Sequence, residues 1–174
     1  MFKRILIANR GEIAVRIIRA CNDLNIESVA IYSRADRESM HVKMATHTYP
    51  ISEDPIKGYL DPDLIIQAAK EMEAEAIHPG YGFLSENAFF AKKVKEAGIV
   101  WIGPDSEVIA KMGDKNAARN LMIANGIPVV PGTEPLNTLS MYEIQKIARK
   151  IGYPVILKAS SGGGGRGIRV VQEE

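Results

Sequence analysis

Residues 4–32 read RILIANRGEIAVRIIRACNDLNIESVAIY, and this stretch decides the fold. Arg4 to Ala8 is a short run of mostly branched apolar residues, the composition of a buried strand. After the turn Asn9-Arg10-Gly11, the segment Glu12 to Asn22 places Ile13, Ile17, Ala20 and Cys21 at helical spacing, which predicts a helix packed back onto a sheet. Ser28 to Tyr32 is strand-like again. Strand, helix and strand in so short a stretch make a βαβ unit, and its crossover forces the two strands to run parallel.

The same alternation continues outward. Ser33 to Arg37 is a polar loop, His41 to Ala45 a short helical turn, and Thr46 to Ile51 a third strand that Pro50 confines to an end or a sheet edge. Asp61 is an N-cap with Pro62 at the first helical position, and Leu64, Ile65, Ala68, Ala69 and Met72 form the buried stripe of the helix that follows. Glu75 to His78 is the fourth strand. Ser85 is the predicted cap of a helix whose Phe89, Phe90, Val94 and Ala97 face inward before Gly98 ends it, and Ile99 to Ile102 is the fifth strand. Residues 1–102 therefore read as an open, mostly parallel α/β domain. Gly103-Pro104 breaks the pattern. Ser106 to Met112 and Asn116 to Ala124 are helical with no strand between them, so 103–130 reads as a helical linker. In 131–174 a helix, Met141 to Ile151, precedes two strands, Pro154 to Ala159 and Ile168 to Val171, separated by Ser160-Ser161-Gly162-Gly163-Gly164-Gly165-Arg166-Gly167.

Composition limits the function. The 22 basic and 21 acidic residues leave a net charge of +1, which gives no electrostatic footprint for nucleic acid or a membrane surface. Apolar runs are strand-sized and no signal-like segment opens the chain, so the expected location is the cytoplasm. The single cysteine, Cys21, has no partner for an internal disulfide or a zinc site and sits on the inward stripe of the first helix, so it reads as core. His78 reads as hydrogen-bonded structure rather than a metal ligand, because His41 and His47 show no ligand spacing with it.

Gly162, Gly164 and Gly167 satisfy G-x-G-x-x-G, but that dinucleotide motif must open a helix, and β-branched residues follow Gly167. A Walker A reading fails because Ile168-Arg169 stands where Lys-Ser or Lys-Thr is required. What remains is strand, glycine loop, strand: either a surface linker or a hairpin whose unhindered N–H groups close over phosphates. Lys158, near the end of an apolar strand, is either a lysine reaching from the strand end to water or one that meets an anion. Lys115 stands in the first turn of a helix, where the macrodipole disfavours a cation; alone it reads as a solvated side chain. Two such lysines with a glycine loop point to polyphosphate. At the carboxyl ends of the first domain's strands, His78-Pro79-Gly80-Tyr81-Gly82-Phe83-Leu84-Ser85-Glu86-Asn87 combines glycines, an aromatic and polar groups, suited either to a planar small molecule or to a turn plugged by Tyr81.

Five segments in order, Ile7 to Ala14, Ser33 to Arg37, His78 to Asn87, Met112-Gly113-Asp114-Lys115 and Lys158 to Gly167, resemble biotin carboxylase, the ATP-grasp component of biotin-dependent acetyl-CoA and pyruvate carboxylases. The resemblance implies a pre-ATP-grasp α/β domain, a helical linker and the start of an ATP-grasp lid subdomain. It implies that Lys115 and Lys158 contact ATP phosphates, that Gly164 and Gly165 cover them, and that Tyr81 and Gly82 line the biotin side. It further implies Mg2+ or Mn2+ held by residues beyond 174, biotin on a carrier protein as substrate, carboxyl carrier and carboxyltransferase partners, and a homodimer. On this reading the chain is inactive alone, and apolar surface around Val155 to Val171 lacks packing partners. Three other readings stand beside it. One is a different ATP-grasp ligase of the carbamoyl-phosphate or purine-pathway type, set apart by the His78 to Asn87 loop. Another is a non-catalytic assembly module, because Arg16, Arg19 and Asn22 point outward from the first helix. The third is a nicotinamide-dependent oxidoreductase, supported only by the doubly wound unit and opposed by the lone Gly11 after the first strand.

Overall fold

The structure is a computed structural model that describes residues 1–133, 135–159 and 167–174, with Lys115 described by its backbone alone. Contacts divide the chain into two units, Met1–Ala110 and Lys111–Glu174.

In the first unit, strands β1 (Arg4–Ile7), β2 (Glu27–Ser33), β3 (His47–Ser52), β4 (Ala76–His78) and β5 (Val100–Trp101) form one sheet in the order β3-β2-β1-β4-β5. Every pairing in it is parallel. The helices are α1 (Gly11–Asp23), α2 (Met40–Met44), α3 (Pro62–Glu71) and α4 (Ala88–Glu96), and α5 (Ser106–Gly113) starts in this unit and ends past the division at Ala110. Side chains alternate across a strand, and here the alternation builds two cores. Ile5 and Ile7 of β1 pack with Ala14, Ile17, Ile18 and Cys21 of α1 on one face. Leu6, Val29, Ile31 and Ile77 pack with Ile65, Ala68 and Ala69 of α3 and with Phe90 and Val94 of α4 on the other. Phe90 meets Trp101 edge to face, with ring centroids 5.4 Å apart, and the Trp101 indole donates to the Pro104 carbonyl at 3.1 Å.

The expected βαβ order and the edge position of the Pro50 strand are observed. Asp61 caps α3 as expected, its carboxylate accepting from the backbone N–H groups of Asp63 and Leu64. Four local readings are corrected. Asn87, not Ser85, caps α4: its side chain accepts from Phe90 N–H at 2.9 Å, because residues 82–87 are taken up by turns in which Ser85 N–H bonds Gly82 and Asn87 N–H bonds Leu84. Phe89 faces solvent beside the Lys93 ammonium instead of the core. Leu64 is exposed and Ile66 takes its place, since the sheet covers the next position around the helix. Ile13 and Ala20 are half-buried, while Ala14, Val15 and Ile18 complete the buried stripe of α1.

The second unit holds α6 (Lys115–Ala124), α7 (Met141–Ile151) and the antiparallel pair β6 (Val155–Lys158) and β7 (Ile168–Val171). Ser140 and Glu143 form a reciprocal capping box at the start of α7. Ile156, Leu157, Ile168 and Val170 are all exposed, so the strand pair carries the open apolar surface anticipated for this segment. Among the described residues no helix is long and apolar enough to cross a membrane.

Candidate functional site

In an open parallel sheet, loops at the carboxyl ends of the strands gather at the point where strand order reverses, here between β1 and β4. Asn9 leaves β1 at that point and is 2% exposed. Its carboxamide donates to the Pro79 carbonyl at 2.7 Å and to the Tyr81 carbonyl at 2.8 Å, while its oxygen accepts from the Arg10 N–H at 2.9 Å. The side chain thus bridges two loops across the switch point, where a dinucleotide fold keeps bare backbone for pyrophosphate. This geometry argues against the nicotinamide reading.

Arg10 is held by Asp36, with contacts of 3.0 and 3.3 Å, and its guanidinium lies over the rings of Tyr59 and Phe83. Those rings stack on each other at 5.4 Å. Asp36 also accepts from the Tyr59 hydroxyl at 2.8 Å and from Ser33 Oγ at 3.2 Å. Burial opposes ionisation of Asp36, but the hydrogen bonds from Arg10 and Tyr59 outweigh it and hold the carboxyl below the usual carboxylate range. Burial and the facing carboxylate push the Tyr59 phenol up, so it remains a donor. His41, buried nearby, is kept neutral by desolvation.

The His78 to Asn87 loop sits on this base. His78 Nδ1 accepts from the Gly80 N–H at 3.0 Å, and burial lowers its pKa, so it is a neutral structural histidine as expected. Tyr81 is 59% exposed, which removes the core-plug reading and leaves a presented ring. Gly80 and Gly82 have φ of +65° and +68°. A Cβ on Gly80 lands 2.9 Å from Asn9 Nδ2 and 3.1 Å from Ile13 Cγ1, whereas one on Gly82 meets nothing within 4 Å. Gly80→Ala is therefore expected to cost about 2–3 kcal/mol, left-handed strain plus a displaced Asn9, and Gly82→Ala about 1 kcal/mol from strain alone. Urea unfolding midpoints check the difference.

In the second unit, Asp114 caps α6, accepting from the N–H groups of Asn116 and Ala117 at 2.8 and 2.9 Å, so Lys115 is the first residue of the helix. The Lys115 side chain lies outside the described residues, as do Gly164, Gly165 and the whole segment 160–166. Lys158 ends β6 opposite Ile168, and Ala159 N–H bonds the Gly167 carbonyl at 3.0 Å, so the strands flanking the glycine segment pair as read. Lys158 is exposed, which corrects one argument: its burial gives no reason for an anion, and only its place beside the glycine segment does. Among the described residues no cluster of His, Cys, Asp and Glu is suited to hold a metal ion.

The residues that sequence reasoning left without a role are Asn9, Asp36 and Tyr59. Asn9 and Asp36 stand inside quoted motifs, so position signalled them without chemistry. Tyr59 lies in a short helical turn, Lys57–Leu60, with no signal at all.

Comparison with known proteins follows the same division. Residues 1–109 match the family model described as biotin carboxylase, N-terminal domain, and residues 114–174 match carbamoyl-phosphate synthase L chain, ATP binding domain. The chain is 54% identical over its whole length to the biotin carboxylase of Halalkalibacterium halodurans, covering 38% of that protein. It is 50% identical to human mitochondrial pyruvate carboxylase over 97% of the chain and 14% of the relative. Among solved structures, the biotin carboxylase domain dimer of Hydrogenobacter thermophilus 2-oxoglutarate carboxylase, in complex with MgADP, ADP and bicarbonate, matches 99% of the chain and 38% of its own length, at TM-score 0.91 and 51% identity. The chain thus spans well under half the length of these relatives.

Proposed function

The chain belongs to the biotin carboxylase family, and from that premise we propose that it is the N-terminal part of an enzyme that uses ATP and bicarbonate to carboxylate biotin on a carrier protein. The observation that carries this reading is one continuous likeness to a biotin carboxylase, 54% identical along the whole chain. The carbamoyl-phosphate synthase model fits residues 114–174, and the match of residues 1–109 to the biotin carboxylase N-terminal domain favours a biotin carboxylase over another ATP-grasp ligase.

Bicarbonate attacks the γ-phosphorus of ATP and ADP leaves; the carboxyphosphate formed then splits into CO2 and phosphate, and the biotin ureido nitrogen gives up its proton as it bonds to the CO2 carbon. Positioning and charge neutralisation dominate such a transfer. Lys115 and Lys158 supply positive charge to the phosphates, Gly164 and Gly165 supply backbone N–H groups over them, and Tyr81 and Gly82 line the side where biotin enters. The division into an α/β domain of 1–102, a linker of 103–130 and a lid segment of 131–174 belongs to the same proposal. So do a carrier protein, a carboxyltransferase and a second copy of the enzyme as partners; the solved relative described as a dimer supports the last. Mg2+ supplies charge neutralisation when bound with the nucleotide, as in that relative.

Two assays test the proposal. The full-length enzyme carrying this sequence is expected to hydrolyse ATP in a bicarbonate-dependent way that free biotin stimulates, and absence of biotin dependence overturns the reading. The 174-residue chain is expected to show less than about a thousandth of that rate, since it covers only 38% of the length of the biotin carboxylase that it matches and electrostatic stabilisation of the phosphoryl needs a complete site. Comparable turnover by the chain alone contradicts its being a part of the site.

A further inference from the structure

The exposed Tyr81 stands on an unusual arch, because Gly80, Gly82 and Phe83 all have positive φ. Within the loop, Gly80 N–H bonds His78, Ser85 N–H bonds Gly82, and Asn87 N–H bonds Leu84. None of these contacts restrains the carbonyls of Pro79 and Tyr81. Both are held by one side chain, the Asn9 carboxamide, which spends its two N–H donors on them. The neighbouring residue grips the other end of the arch. Arg10, anchored on Asp36, lies over Phe83 and over Tyr59, on which Phe83 stacks. Two consecutive residues leaving β1 thus fix the loop that follows β4, one through its backbone and one through a ring.

We propose that Asn9 and Arg10 are positioning residues that hold the Tyr81–Gly82 arch in register with the strand ends, and so set the affinity for the biotin ring without touching it. The inference rests on the biotin-side reading of Tyr81 and Gly82 given above. Asn9 is buried, so any effect it has on biotin acts through the arch. The two donors of its carboxamide are its distinguishing chemistry. Asn9→Asp keeps the size and the acceptor for Arg10 N–H but turns the donors into an oxygen facing two carbonyls, which repels them.

Two measurements test this. In the 174-residue chain, amide exchange at Ser85 and Asn87 is expected to quicken at least about tenfold in Asn9→Asp, with core amides of β1 and β2 unchanged. In the full-length enzyme, the same variant is expected to raise KM for free biotin about tenfold or more, with KM for ATP within about twofold. Arg10→Lys keeps the ion pair but loses the planar cover, and is expected to shift the biotin KM in the same direction, about threefold, so the test survives misfolding of the buried variant. Unchanged loop exchange overturns the inference, and so does a loosened loop with an unmoved biotin KM. A parallel rise in both KM values also overturns it, as the mark of general destabilisation. A wild-type enzyme without biotin-dependent turnover sinks the underlying reading of function and this inference with it, a failure visible before any variant is made.

Discussion

Replacing Lys158 with alanine in the full-length enzyme lowers kcat/KM for ATP roughly a hundredfold, while replacing Arg169 lowers it by less than about threefold. Both side chains are cationic, exposed and close together on a two-stranded sheet, so net charge alone predicts similar losses. The register separates them. Lys158 lies opposite Ile168, and Leu157 lies opposite Arg169, so the two cations project from opposite faces. A single polyphosphate reaches one face. Lys158 is exposed and lies two residues before the segment 160–166, on the face that the proposal assigns to the phosphates. Steady-state kinetics at varied ATP, with biotin and bicarbonate saturating, distinguish the two. Equal losses in both variants assign the effect to general charge and remove Lys158 from the site.

Much of this architecture was legible in the sequence, because the α/β pattern rests on periodicity. Alternation in Ile5-Leu6-Ile7 forces two faces, and the helical stripe Ile17, Cys21 forces a helix onto one of them; no long-range information is needed. Reading failed where two local signals competed. Ser85 and Asn87 are both good caps, and only the turns of residues 82–87 decide that the helix starts after the second. Phe89 and Phe90 are equally apolar, yet helix phase lets only one reach the sheet. The base of the candidate site was the least legible part. Asp36 gathers donors from residues 10, 33 and 59, and nothing in their spacing announces that β1, β2 and the turn before α3 converge there. Lys158 stands open for a different reason: a strand with apolar neighbours reads as buried, but a two-stranded pair has too little cover to bury its side chains.

That convergence makes Asp36→Ala a strongly destabilising variant of the first unit, by about 1–4 kcal/mol at neutral pH in urea unfolding. The buried Tyr59 hydroxyl loses its acceptor, a cost of about 1–3 kcal/mol. Arg10 loses its counterion, but its side chain remains 36% exposed and water replaces part of the interaction, so this adds about 1 kcal/mol or less. The pH dependence identifies the carboxylate as the cause. Its pKa in the folded protein is depressed below the unfolded value of about 3.9. The stability that it contributes is therefore fully present above that value and is lost as pH falls through the folded one. The gap between wild type and variant should not shrink between about pH 5 and 8 and should narrow below about pH 4 as the carboxylate takes a proton. Both proteins also weaken below about pH 6.5, where His41 and His78 bind protons more readily unfolded than buried. Asp36 raises the His41 pKa, so removing it makes the variant's decline the steeper of the two, which widens the gap and does not close it. A difference that vanished between pH 5 and 6.5 would place the stabilisation on the histidines and leave the Arg10 anchor without its carboxylate.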